Sequence, residues 1–285
     1  MSANELAAYL RGLREAVRPG DVGLPETSRR RTPGLRRAEV ATLAGISVEY
    51  LTRLEQGRDR NPSAQVLGAL ADAFGLGFEQ RLHLRRLAKL VSGDALLCPS
   101  VVPSPARAVR PTLRALLDRL EPAPAVLLNR LSDVLAHTAG YARTVEALGV
   151  LDGDRPNLAR YVFTDPRARA AFPDWDTVAA GQATALRLAT AMGDAHADDL
   201  VEELTITAGA AFTRLLSIPS APVASPRRER LVHPGAGELR LVTESLDLSD
   251  ADQRLVVHLP ADESTATALD HLTGRHPGAL HAITA

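Results

Sequence analysis

A chain of 285 residues with 45% hydrophobic content is long enough for two packed cores. No apolar run approaches the ~20 residues that cross a bilayer. The start MSANELAAYLRGLREA is charged and amphipathic where a signal peptide would be apolar, and a single cysteine, Cys98, excludes an internal disulfide, so the expected location is cytoplasmic and no membrane partner is expected. The formal charge of −1 hides an asymmetry: residues 1–90 hold fifteen Lys/Arg against ten Asp/Glu, and the remainder eighteen against twenty-four. A basic first part joined to an acidic second part directs any polyanionic partner to the first.

In chain order, Leu6, Leu10, Leu13 and Val17 recur at helical spacing, and Pro19 and Gly20 stop that helix. GDVGLPETSRRRTPG reads as a loop. Helical segments then follow over Leu35–Ala44, Val48–Gln56, Ala64–Phe74 with Ser63 as N-cap, and about Glu79–Val91. Five helices predict a compact all-α domain over residues 1–91. The stretch 92–106, SGDALLCPSVVPSPA, has the proline and small-residue content of an interdomain linker. In residues 107–285, AVLLN (125–129) and DVLAH (133–137) read as two short strands around a turn. A helical middle runs from about 139 to 216, broken near Gly153 and Pro156. GELRLVTE (237–244) and QRLVVHL (253–259) alternate as strands, with HPGAG (233–237) as a turn and Glu263–Thr273 as a closing helix. Strands at both ends with helices between predict an α+β domain with an antiparallel sheet.

The stretch LRRAEVATLAGISVEYLTRLEQG, residues 35–57, carries the most chemistry. Gly45 can take the positive φ that ends the first of its helices, Ser47 can cap the second, and Ile46 with Leu51 can staple it. Leu51 and Leu54 then face inward and leave Val48, Glu49, Thr52 and Arg53 outside. A helix fits the major groove and reads it through its N-terminal side chains. Arg53 is the candidate for a bidentate contact to guanine and Glu49 for accepting from cytosine N4. Val48 or Thr52 suits a thymine methyl, and Ser47 or Thr52 a base edge or phosphate. Arg58 and Arg60, beyond the helix, and Arg37, near the start of the preceding one, are candidates for backbone phosphate.

These residues resemble the helix-turn-helix of the Cro/phage-repressor family, also called the xenobiotic-response-element family. L-R-R-A-E-V-A, G-I-S and L-E-Q-G stand in the places of its pattern, with Arg37 where a glutamine is usual. The long insertion Pro19–Gly34 and the continuation RDRNPSAQVLGALADAFGL resemble the actinobacterial group of such regulators that carries an MmyB-like C-terminal ligand-binding domain. Arg29, Arg30 and Arg31 in that insertion are candidates for phosphate or a narrow minor groove. The alternative is a solvated loop. VRPTLRALLDRLEPAPAVLLNRLSDVLAHT, NLARYVFTDPRARAAFPDWDTVA and LVHPGAGELRLVTESLDLSDADQRLVVHLPA resemble the opening, middle and end of the MmyB-like domain. The resemblance implies a PAS-like α+β fold around an apolar pocket for a small hydrophobic, fatty-acid-like ligand. LAHT (135–138) departs from the family's Trp-Asn after the second strand. Leu127, Leu135, His137, Phe163 and Trp175 are the candidate pocket walls, or else ordinary core.

A catalyst is the rival from another class. No GxSxG, P-loop or dinucleotide glycine pattern occurs, no histidine pair has HExxH spacing, and HADD (196–199) and DGD (152–154) fit helix or loop starts better than metal sites. No catalytic residue, metal or cofactor is expected. The reading is a homodimeric regulator of double-stranded DNA with a palindromic operator. Two alternatives stay open: a C-terminal domain that serves only for dimerisation or docking, and an enzyme with a helix-turn-helix appendage.

Overall fold

The computed structural model describes residues 2–25, 34–59, 61–92, 104–218, 226–248 and 252–274, with 280 and 282. The chain divides into two compact units, 1–101 with 199–214, and 102–198 with 215–285. Among the described residues no helix is long and apolar enough to cross a membrane.

In the first unit, α1 (Ser2–Ala16) puts Leu6 and Leu10 into the core. A single 3-10 turn at Pro19–Val22 ends its run. α2 (Arg37–Ala44), α3 (Val48–Glu55), α4 (Ala64–Ala73) and α5 (Phe78–Ser92) complete a five-helix set. Val40, Leu51, Leu54, Leu67, Leu70 and Leu84 meet in one apolar cluster, each buried because it falls on the inward face of its helix. Residues 199–214, far along the chain, belong here as well, and Ile206 is fully buried in the same cluster. Arg81 fixes this segment: its guanidinium donates to the Ile206 carbonyl at 3.3 Å and pairs with Asp72 at 2.7 Å, while Asp72 accepts from the Ala210 amide at 3.1 Å. The sequence reading placed all of 107–285 in one domain.

The second unit opens with α6 (Pro111–Leu120), then β1 (Ala125–Asn129) and β2 (Val134–His137). Helices α7 (Ala139–Val145), α8 (Leu158–Thr164), α9 (Arg167–Ala171) and α10 (Trp175–Ala191) follow, and then α11 (Ala195–Thr207) and α12 (Ala210–Ser217), whose residues 199–214 belong to the first unit. β3 (Arg227–His233), β4 (Gly237–Leu248), β5 (Gln253–Pro260) and α13 (Glu263–Thr273) end the second unit. The strands form one antiparallel sheet in the order β2-β1-β5-β4-β3. β3 was not foreseen from sequence, and HPGAG turns out to join it to β4.

One sheet face packs Ala125, Leu127, Leu255 and Val257 against Leu113 and Leu117 of α6. The other face looks at α7, α8 and α10. The start of α7 requires a glycine, since a Cβ on Gly140 would lie 1.9 Å from the Pro122 carbonyl oxygen. The turn after β1 is held by Asn129, whose Oδ1 accepts from the amides of Leu131 and Asp133 at 3.0 Å. Asn157 then donates to the Leu131 carbonyl and to Asp133, and its Oδ1 caps α8 through the Arg160 amide.

Candidate nucleic-acid interface and ligand cavity

The turn between α2 and α3 follows from local chemistry. Gly45 adopts φ 64°, its amide and that of Ile46 return to carbonyls of α2, and the Ser47 hydroxyl accepts the Tyr50 amide at 3.0 Å. α3 is thereby started at Val48 and rotated so that Leu51 and Leu54 are buried. Val48, Glu49 and Arg53 are exposed on its other flank, and Thr52 lies beside them with its hydroxyl donating to the Val48 carbonyl at 2.7 Å. The Arg53 guanidinium rests 5.4 Å from the Tyr50 ring centre and 3.9 Å from Asp59, both loose contacts that leave it more than half exposed. Arg58 is exposed just beyond the helix. Ser47, Val48, Glu49, Thr52, Arg53 and Arg58 therefore sit together on one side of the unit. Arg29, Arg30, Arg31 and Arg60, and most of the expected linker, lie outside the described residues.

Arg37 is engaged elsewhere. Its Nε donates to Glu55 Oε2 at 2.7 Å, with the rest of the side chain about half exposed. Glu55, the last residue of α3, is only 1% exposed and is the anchor of the helix. Arg14 Nε donates to its other carboxylate oxygen at 2.6 Å, and Arg11 donates to its main-chain carbonyl at 2.7 Å. Two cations on one sealed carboxylate fix the height and rotation of α3 against α1 and α2. Sequence reasoning took Glu55 only as part of a motif. The signal was its position four residues after Leu51, on the inward side, where an acid must be paired.

The second unit contains a cavity of about 390 Å³ between the sheet and its helices. Each wall is one face of an element. Tyr141, Thr144 and Val145 come from α7, Leu158, Tyr161 and Val162 from α8, and Val178, Gln182, Ala185 and Leu188 from α10, all at spacings of three and four. The floor is every second residue of the strands: Val126 and Leu128, Arg227 and Glu229, Thr243 and Ser245, Val256 and His258. The sequence-derived walls are placed elsewhere. Leu127 and Leu135 lie in the cluster under α6. His137 is exposed at the end of β2, and Phe163 packs edge-on against Trp175 at 5.9 Å. None of the five lines the cavity, because strand parity turns Leu127 away and the aromatic pair closes the helical layer instead.

Polar groups mark the floor. His258 stacks on Tyr141 at 5.8 Å between ring centres and lies 3.2 Å from the Thr243 hydroxyl. Burial pulls its imidazole below the usual histidine value, so it is neutral at neutral pH, and burial raises the Tyr141 phenol far above its usual value. Tyr161 is pushed up to about 12, chiefly by burial, and its hydroxyl donates to the Leu148 carbonyl at 2.9 Å. Arg227 pairs with Glu229 at 2.7 Å. The acids of DGD and HADD show no metal-site geometry, and Asp152 accepts from Arg167 at 2.7 Å. Among the described residues no three metal-ligating side chains converge.

Comparison with known proteins places both parts. Residues 5–84 match the family described as a helix-turn-helix domain. Residues 109–272, more than half of the chain, match the family described as the MmyB-like transcription regulator ligand binding domain. No curated protein matches the chain significantly. With a helix-turn-helix ahead of such a domain, the protein is a DNA-binding transcription regulator and belongs to the MmyB-like family.

Proposed function

We propose that the protein is a sequence-specific regulator that seats α3, residues 48–56 with its final turn, in the major groove of a palindromic operator. The carrying observation is the exposed flank Val48, Glu49, Thr52 and Arg53 on a helix whose opposite side is sealed by Leu51, Leu54 and the Glu55 ion pairs. Arg53 reads a guanine, Glu49, Thr52 and Val48 its neighbours, and Ser47, Arg58 and Arg60 hold phosphate. Arg37 reaches phosphate with the part of its guanidinium that Glu55 leaves open, and Arg29–Arg31 approach an adjacent groove. A homodimer supplies two half-sites about one helical turn apart, because one α3 alone reads too few base pairs. The second unit acts as a PAS-like sensor whose cavity takes a small hydrophobic, fatty-acid-like ligand. That ligand shifts the balance between DNA-competent and incompetent states through unequal affinity for them. The protein acts in the cytoplasm, by binding and not by catalysis.

Binding-site selection with the purified full chain tests the reading, and an enriched inverted repeat is expected. On the selected operator, Arg53→Ala is expected to lose about 1–3 kcal/mol of discrimination at one base pair. Arg58→Ala should weaken operator and random DNA equally and reduce the slope of log K against log salt by about 0.9. Identical behaviour of the two variants on both DNAs would overturn the assigned roles.

A further inference from the structure

The exposed flank of α3 carries one long cation whose position is set by its neighbours. Arg53 has Glu49 four residues before it, the spacing at which an acid and a base pair across one helical turn. No such pair forms between them among the described residues. The acid beside Arg53 is Asp59 instead, 3.9 Å from its guanidinium.

Asp59 reaches that place through the backbone. Gly57 takes φ 68°, and the chain beyond it turns back so that the Arg58 and Asp59 amides donate to the Arg53 carbonyl at 3.0 and 3.3 Å. The residue that offers the carboxylate is bonded to the main chain of the residue that receives it. A second contact comes from the Tyr50 ring, three positions earlier on α3, whose centre lies 5.4 Å from the guanidinium carbon. Asp59 also acts on the Tyr50 phenol, which stands above its usual value first by burial and then by this charge. Tyr50, Arg53 and Asp59 form one surface cluster joined through the arginine.

Two loose contacts at an exposed site add little to folding. Their effect on DNA is of another kind. An arginine free to swing beside a duplex meets phosphates on both strands, and those contacts carry no sequence information. Reading guanine demands one placement of the guanidinium, and fixing a long side chain costs rotamer entropy. Confinement by a ring and a carboxylate meets part of that cost before DNA arrives. The charge of Asp59 adds a second effect. It follows Arg58, the residue assigned above to a phosphate, and disfavours a further phosphate contact by Arg53. With Arg53 held by Asp59, the exposed Glu49 has no cation on it among the described residues and stays open to a cytosine amino group.

We infer that Asp59 is a positioning residue that sets specificity without touching a base: it holds Arg53 for guanine and keeps it off the phosphates. The inference rests on the reading of α3 as the helix in the major groove, and adds to it a residue that lowers overall affinity while raising discrimination.

The test uses the full chain, its Asp59→Asn and Arg53→Ala variants and the double variant. Fluorescence anisotropy at one salt concentration measures binding to three DNAs: the selected operator, the operator changed at the base pair where Arg53→Ala loses discrimination, and a random sequence. Asp59→Asn is expected to reduce discrimination at that base pair about two- to fivefold, within what an exposed ion pair supplies. Random DNA should bind it about twofold tighter, since one negative charge near the phosphates is gone. In the Arg53→Ala background the same substitution should leave discrimination unchanged. Asp59→Glu, which keeps the charge, should retain most of the parent's discrimination. Equal tightening on all three DNAs would reveal plain charge repulsion, and a loss that persists without Arg53 would reveal a route other than this side chain. Either result overturns the inference and leaves the reading of α3 standing. A parent chain without sequence preference, or an Arg53→Ala variant with no loss at any base pair, would overturn both.

Discussion

Replacing Glu55 with alanine is expected to destabilise the first unit by about 3–5 kcal/mol, the cost of removing one partner from a buried ion pair. The carboxylate is 1% exposed and accepts from Arg14 and Arg37 on separate oxygens. Arg14 is itself 12% exposed, so without Glu55 the one acid left beside it among the described residues is the solvent-exposed Glu15 at 3.2 Å. Arg37 is half exposed and regains water, which places most of the cost on Arg14. The chain's one tryptophan, Trp175, lies in the second unit. Urea unfolding followed by far-UV circular dichroism should therefore shift for Glu55→Ala while the tryptophan fluorescence transition stays near its original midpoint. A dichroism shift worth under about 1 kcal/mol would mean that solvent already screens the three-residue cluster.

Trp175→Ala is expected to cost the second unit about 3–5 kcal/mol, in the range for truncating a buried large aromatic. The indole is 5% exposed, its Nε1 donates to the Val162 carbonyl at 2.8 Å, the Arg169 guanidinium covers it at 3.7 Å, and Phe163 abuts it edge-on. It starts α10 and ties that helix to α8. Trp175→Phe should recover most of the apolar contact yet still lose about 1–3 kcal/mol, because the Val162 carbonyl is left without its donor. Thermal unfolding followed by dichroism measures both variants. Equal losses for the two would show that the hydrogen bond outweighs the packing.

The helix-turn-helix was legible because its determinants are local. A glycine at positive φ, a serine cap and leucines at helical spacing are properties of neighbouring residues, and the elements found over 37–55 coincide with those expected to within a residue or two. Glu55 escaped because its burial depends on Arg14, forty-one positions away. The cavity escaped for two further reasons. All five residues of β1 are buried, so composition gave no sign of which parity faces the helices, and Leu127 was chosen where Val126 and Leu128 serve. β3, RRERLVH, alternates in burial as a strand should, but the residues turned toward the cavity at its start are Arg227 and Glu229. Charges stand where a core strand shows apolar side chains, and they hide the period-two signal.

Gene dissection at the expected linker would sever the first unit from part of its own interior. Ile206 is fully buried among the leucines of α3, α4 and α5, and the Gly68 Cα approaches the Thr205 carbonyl so closely that an added methyl would sit 2.5 Å from that oxygen. A fragment ending near residue 92 would present an open apolar scar and an Arg81 stripped of the Ile206 carbonyl. Such a truncation is prone to self-association, and its affinity for an operator would understate that of the intact polypeptide.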